Sequence, residues 1–343
     1  MKKSLVAIAA LSAFSGAAFA QAPASSVTLF GIIDTGVRYT NNGNDRRVDV
    51  ATDGLASSRL GVRGVEDLGG GLRAGFWVEG AMRGDDGTAQ GQTWQRRQTV
   101  SLLGGFGEIR LGRDYAPTFW NATVFDPFGT NGVGAFSNIH APHVGIGQFV
   151  RNNNTVGYFL PGNLGGLYGQ VMVAAGEAVS PNKYLGGRVG WQAGPINVAV
   201  AYGQNYVNPA VAGDETAQIA NVGAAYTIGP ATIMGSYGRF TFANNTRTNA
   251  LIGATVKLGP GSLRAAYSRF TNDDAAVNDA NQIAVGYIYD MSRRTAVYGT
   301  VSRVSNDTAA AFGANSGGNN GGGIAPAAGK NYTGAEIGVR HSF

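Results

Sequence analysis

The sequence predicts an all-β chain closed into a transmembrane antiparallel up-and-down barrel of about sixteen strands. Three observations carry this. Apolar and polar side chains alternate through run after run of residues, short Gly/Pro-rich turns alternate strictly with longer polar connections, and no uninterrupted apolar run beyond the first twenty residues could span a bilayer as a helix.

The first segment is not part of the barrel. Lys2 and Lys3 form a positive start, Leu5 to Ala18 an apolar stretch, and Ala18-Phe19-Ala20 a small-x-small close. This is the layout of a cleaved export signal over 1–20, with Gln21 opening a single mature domain over 21–343. The apolar run is too short for an anchoring helix.

Composition favours strands. Glycine reaches 54 residues without a collagen-like period, only 14% of residues are charged, and mean hydropathy is −0.05. So much glycine disfavours helices, while Val, Ile, Thr, Tyr and Phe recur in alternating runs that suit strands. There is no cysteine, so an exported chain of this kind must be held by closed hydrogen bonding or by lipid rather than by disulfides. Without Lys2 and Lys3 the chain carries 24 basic and 21 acidic residues, too even a balance for a nucleic-acid binder. Arginine dominates the cations, the remaining lysines being Lys183, Lys257 and Lys330, as expected where charges must be held in fixed geometry.

The strands follow in order. At the start, Val27, Leu29, Gly31, Ile33, Thr35, Val37 and Tyr39 share one parity, and Thr28, Phe30, Ile32, Asp34, Gly36 and Arg38 the other. Further on, Leu72, Ala74, Phe76 and Val78 alternate with Arg73, Gly75, Trp77 and Glu79, and Ile283, Val285, Tyr287 and Tyr289 with Gln282, Ala284 and Gly286. At the end, Thr333, Ala335, Ile337, Val339, His341 and Phe343 alternate with Tyr332, Gly334, Glu336, Gly338, Arg340 and Ser342. Successive strand residues face opposite ways, so one side of each run is oily and the other polar or small.

The connections set the topology. Tight turns are expected at 67–71, 104–107, 161–166, 193–195, 229–230, 259–261 and 290–293. Between them fall polar connections of variable length at 41–56, 85–92, 115–148, 177–182, 207–215, 243–245, 272–280 and 305–331. In an outer-membrane barrel the tight turns face the periplasm and the long loops face outside. A barrel of this size is too wide for side chains to fill and leaves an aqueous channel.

The opening Ser26-Val27-Thr28-Leu29-Phe30-Gly31-Ile32-Ile33-Asp34, the stretch Ser58-Arg59-Leu60-Gly61-Val62-Arg63-Gly64-Val65-Glu66-Asp67-Leu68-Gly69-Gly70-Gly71 and the closing Gly338-Val339-Arg340-His341-Ser342-Phe343 resemble general outer-membrane porins of the β-proteobacterial type. With the turn–loop rhythm, the resemblance covers essentially the whole mature chain. It implies a Gram-negative outer-membrane channel through which small hydrophilic solutes and ions diffuse passively, without cofactor. It further implies a homotrimer, a third loop folded into the lumen, and recognition of the terminal Phe343 by the barrel-insertion machinery.

Arginine placement tests the idea. A cation on the lipid face at mid-bilayer costs roughly 2–4 kcal/mol, so strand arginines are expected on the lumen side or near the interfaces. Arg38, Arg63, Arg73, Arg83, Arg97, Arg110, Arg188 and Arg264 all take the polar parity. Arg38, Arg59, Arg63, Arg97 and Arg110 are the candidate wall of a constriction, either a solvated lining or a basic ladder that favours anions. The connection 115–148 is the longest, rich in Phe and Gly, and holds one carboxylate, Asp126 in Phe125-Asp126-Pro127-Phe128-Gly129. Asp126 either opposes the arginines across the pore or caps a turn. Porins with an acid-rich constriction loop differ in this respect, and a weak anion preference is expected.

Other chemistry finds little support. His140 and His143 lack Cys or carboxylate partners for a metal. Gly329-Lys330 is followed by Asn331, not the Ser or Thr of a phosphate loop. With three histidines, one of them His341 on the oily parity, no nucleophile–base set for an outer-membrane barrel enzyme is visible. A substrate-specific channel and a secreted β adhesin are the remaining alternatives.

Overall fold

Strand after strand hydrogen-bonds to its neighbour in sequence, apart from β2 and β3, which both pair with β1, and the last returns to the first. The computed structural model describes residues 25–89, 93–140, 149–177, 183–206, 216–242, 245–273, 279–314 and 323–343. The expected export signal over 1–20 and His143 lie outside the described residues. The strands are β1 (Ser26–Asn41), β2 (Arg46–Thr52), β3 (Arg59–Gly69), β4 (Leu72–Ala81), β5 (Arg97–Gly104), β6 (Gly107–Tyr115), β7 (Arg151–Phe159), β8 (Leu167–Ala174) and β9 (Tyr184–Ala193). There follow β10 (Ile196–Tyr206), β11 (Thr216–Ile228), β12 (Ala231–Phe242), β13 (Asn245–Leu258), β14 (Gly261–Asn272), β15 (Ala280–Asp290), β16 (Thr295–Asn306) and β17 (Tyr332–Ser342). All pairings are antiparallel, and β1 pairs with β17 from Ile32↔Ser342 to Asn41↔Thr333, which closes the sheet and leaves no edge.

Seventeen segments make sixteen barrel positions, because β2 and β3 share one. The upper half of β1 pairs with β2 and its lower half with β3. Between them Asp53–Ser58 leaves the ladder, with Asp53 at φ 66°. The break is held from inside: Asp34 accepts from the N–H groups of Leu55 (2.8 Å) and Ala56 (2.6 Å) and from the Tyr298 hydroxyl (2.6 Å). This corrects the expectation that 41–56 is one open connection. Arg46–Thr52 is strand, and its Val48 and Val50 are exposed like the rest of the outer face.

The seam ends at the terminal residue. Gly31 and Phe343 exchange both backbone hydrogen bonds at 3.1 Å. A Cβ at Gly31 would lie 2.3 Å from the Phe343 ring, so only glycine lets the ring lie flat on β1.

The two faces separate as the parity predicts. Val27, Val100, Val171, Ile252, Ile283 and Ile337 are all more than half exposed, and they belong to an apolar ring around the outside. Exposed apolar area on this scale is stable only in lipid. The inner face is polar or small, and its apolar packing comes from connections folded into the barrel.

The β6–β7 connection supplies most of that packing. It contains a helix, α1 (Pro117–Val124), started by proline in its first turn, and a short 3-10 turn at Phe136–Asn138. Phe125 is fully buried against Gly223 of β11, where a Cβ would come within 2.0 Å of the ring, and Val133 packs on Gly334 of β17. Each fully buried Phe or Val contributes about 1.5–3 kcal/mol. The last connection also folds inward: Phe312 packs at 4.9 Å on Phe270, in one buried cluster with Val133 and Ile139.

Candidate pore constriction

The inward loop lies along one half of the wall. Asn121 donates to Asn221 (2.7 Å) and accepts from Arg188 Nε (2.9 Å), Gln282 Nε2 donates to the carbonyls of Gly134 (2.8 Å) and Ala135 (3.0 Å), and Glu336 accepts from the Val133 N–H (3.0 Å). These anchors run from β9 to β17. The facing half, β3 to β7, carries the charge.

On that half the cations are stacked and cross-linked. Trp77 lies between Arg63 (5.1 Å to the ring centroid) and Arg97 (4.6 Å), and its indole N–H donates to Glu79 (3.0 Å). Glu79 also receives Arg96 Nε (2.5 Å) and Arg59 Nη1 (3.5 Å). Arg110 bridges Glu108 (2.8 Å) and Asp114 (2.5 Å). The Tyr115 hydroxyl accepts from Arg96 Nη2 (2.9 Å) and from Arg151, whose guanidinium lies 4.1 Å from the Tyr115 ring centroid. The set Arg59, Arg63, Arg96, Arg97, Arg110 and Arg151 opposes three carboxylates, Glu79, Glu108 and Asp114, leaving a surplus of three positive charges. Fixed by rings and acids, these guanidinia hold their geometry without closing on one another.

The expected site residues divide into two groups. Arg59, Arg63, Arg97 and Arg110 come together on this wall. Arg63 is exposed, and the Arg59 and Arg97 side chains keep 23% and 19% exposure. Arg38 does not join them. It takes the lumen parity but is fully buried, bound to Glu336 across the β1–β17 seam at 2.9 Å, and so presents no charge to a passing solute. Arg264 is covered in the same way: it stacks on Phe128 at 4.5 Å and reaches the Pro127 carbonyl, anchoring the loop. Arg83 falls beyond β4 and pairs with Asp86 in the following connection.

Asp126 organises a turn. It is 6% exposed and accepts from the N–H groups of Phe128 (2.9 Å), Thr130 (3.1 Å) and Phe136 (3.3 Å), so its charge is directed into the loop rather than across the pore. Burial raises its carboxyl above the usual range, while the three N–H groups and Arg264 pull it back.

Arg96, Arg151 and Tyr115 escape sequence reasoning. Arg96 precedes β5 and Arg151 opens β7, beside irregular chain where parity cannot be counted. The one available signal is the adjacent pair Arg96-Arg97, which alternation alone would split between lipid and water.

Comparison with known proteins agrees with this architecture. The family model for Gram-negative porins matches residues 7–309. The outer membrane porin protein 32 of Delftia acidovorans is 40% identical over the full length of both chains. The solved anion-selective porin from Comamonas acidovorans is 37% identical, covers 93% of this chain and 100% of its own, and superposes with a TM-score of 0.84. OmpT of Vibrio cholerae, at 17% identity and a TM-score of 0.69, shares the fold over 93% of this chain and 100% of its own. A closed sixteen-position barrel with an oily exterior, a loop laid along the lumen and full-length identity to an outer-membrane porin leave one conclusion: the chain belongs to the Gram-negative porin family.

Proposed function

We propose that the protein is a passive, weakly anion-preferring diffusion channel of the outer membrane, constricted between the inward loop and the arginine wall of β3–β7. The observation that carries this reading is the surplus of three cations on that wall, with no loop carboxylate opposing it. Fixed charge of one sign lining a narrow aqueous passage raises the local concentration of the opposite ion. The anion-selective Comamonas porin supports the same sign. Small hydrophilic solutes and inorganic ions cross without chemical change, so the chain acts as a channel and not as an enzyme.

The finer features of the reading rest on resemblance and on sequence. Cleavage after Ala20 frees a mature chain from Gln21, three copies assemble in the membrane, and the insertion machinery recognises the strand ending at Phe343. OmpT, which shares the fold, has a trimer form.

Reversal potential across a planar bilayer under a potassium chloride gradient tests the selectivity. Anion preference that weakens as salt rises is expected, because the screening length is about 8 Å at physiological salt and about 3 Å at 1 M. Cation preference refutes the reading.

A further inference from the structure

On one arc of the barrel three arginines on alternate strands face outside: Arg239 on β12, Arg269 on β14 and Arg303 on β16. Each is exposed and shares parity with outward residues of its own strand, Tyr237, Tyr267 and Val301 respectively. A lipid-facing arginine costs roughly 2–4 kcal/mol at the bilayer midplane and almost nothing at the interface. Their height therefore decides their role.

The register fixes that height. Each of the three is the ninth residue of its strand, counted from the tight-turn end. The strand starts themselves step with the tilt of the barrel. Ladder partners carry Ala231 through Val256 to Leu263, two residues past the start of β14, and carry Gly261 through Tyr289 to Val297, two residues past the start of β16. The arginines take the same steps. Arg239 aligns through Thr248 with Thr271, two past Arg269, and Arg269 aligns through Asn281 with Ser305, two past Arg303.

Two residues of rise, about 6.6 Å, against two strand spacings, about 9.6 Å, correspond to a tilt of about 35°. The three guanidinium-bearing positions then lie at one level, about 12 Å apart, and about 22 Å above the tight-turn ends. The apolar band of such a barrel is about 25 Å tall, so the row sits at the headgroups of the outer leaflet. Tyr237 and Tyr267, one outward position below Arg239 and Arg269, are placed where interfacial aromatics are favoured.

We infer that Arg239, Arg269 and Arg303 form a binding row for phosphorylated lipid headgroups of the outer leaflet. Guanidinium and phosphate pair bidentately, and a row of three fits a headgroup carrying more than one phosphate. The nearby polar groups leave the row open. Arg239 Nη2 donates weakly to the Thr246 hydroxyl (3.4 Å), and Arg269 reaches Asp279 at 3.5 Å, a pair with 59% and 32% side-chain exposure. Asp279 thus competes with the headgroup for Arg269. The row faces away from the lumen, so it assigns the β12–β16 arc to lipid independently of ion selectivity.

The test titrates the purified full-length porin in detergent with diphosphorylated lipid A, its fully dephosphorylated form and inorganic phosphate, with binding read by native mass spectrometry. The lipid is expected to bind the parent protein and to bind R239Q/R269Q/R303Q at least about tenfold more weakly. The dephosphorylated form is expected to lose the same advantage, and D279N to bind the lipid more tightly. Heat-modifiable gel mobility and single-channel conductance should stay at parent values, because the row touches neither the inward β6–β7 loop nor the pore. Should the triple variant fail to fold, the three single Gln variants carry the test, each with a partial loss. Equal binding by the Gln variants, equal binding of the dephosphorylated lipid, or inorganic phosphate binding as tightly as the lipid overturns the inference.

Discussion

Removing three charges from the wall should abolish the ion preference while leaving the barrel intact. In R59Q/R63Q/R97Q the remaining cations Arg96, Arg110 and Arg151 balance Glu79, Glu108 and Asp114, so the surplus falls from three to zero. These three arginines are the ones to change because Glu79 keeps Arg96, and Asp114 keeps Arg110. Three net charges about 8 Å from an ion, in a water-like dielectric and one screening length away, shift its energy by about 0.6 kcal/mol. The shift has opposite signs for anion and cation, which gives a permeability ratio of about sevenfold at physiological salt and about 1.5-fold at 1 M. Reversal potentials measured at both salt levels read these ratios directly. The triple variant should show a ratio near unity at either level, with conductance equal to or above the parent. A variant that keeps the parent ratio, or a parent ratio that does not change with salt, refutes the assignment of selectivity to this wall.

The loop anchors give sharper structural predictions. Glu336→Ala breaks the buried Arg38–Glu336 ion pair and removes the acceptor of the Val133 N–H, so thermal unfolding on heat-modifiability gels should fall by the equivalent of about 3–5 kcal/mol. Gly223→Val places side-chain carbon where the Phe125 ring now lies, a clash that costs about 1–3 kcal/mol and should dislodge the loop, seen as larger and noisier single-channel steps. Asp126→Ala strips three N–H groups of their acceptor, so faster protease cleavage within the loop is expected. Phe343→Ala should lower the yield of folded barrel in the outer membrane more than it lowers the stability of the barrel that does form, measured by comparing membrane yield with unfolding temperature.

The barrel was legible in the sequence because its two solvents sort side chains at every second residue. Ile337 and Val339 read as outward and Glu336 as inward from parity alone, and all three are so placed. The break at Asp53–Ser58 was not legible. It interrupts the alternation at residues whose backbone is held by Asp34, through the N–H groups of Leu55 and Ala56, and Asp34 is itself held by Tyr298, far along the chain. The constriction was half legible for the same reason. Arg63 and Arg110 stand within regular strand, and Arg59 and Arg97 open strands whose alternation runs on from them, so parity could place all four; Arg96 stands before β5, outside its alternation, and Arg151 follows the long β6–β7 connection, across which parity cannot be carried. Parity also says which way a side chain points but not what lies over it. Arg38 and Arg264 point inward as expected, yet Glu336 and the Pro127–Phe128 turn cover them. Which wall the loop would choose depended on glycines such as Gly223 and Gly334 that accept its side chains, a pairing between distant residues that alternation does not encode.

Water bathes one parity of each strand and hydrocarbon the other. The chain has no cysteine, so single substitutions report this cleanly. On β8, Gln170 faces the lumen and Val171, 56% exposed, faces outward. In proteoliposomes, a charged, water-soluble thiol reagent should label Gln170→Cys and spare Val171→Cys, while a bilayer-partitioned maleimide should do the reverse. Labelling of both cysteines by the charged reagent, or of Val171→Cys alone, would contradict the assignment of the two faces and the channel built on it.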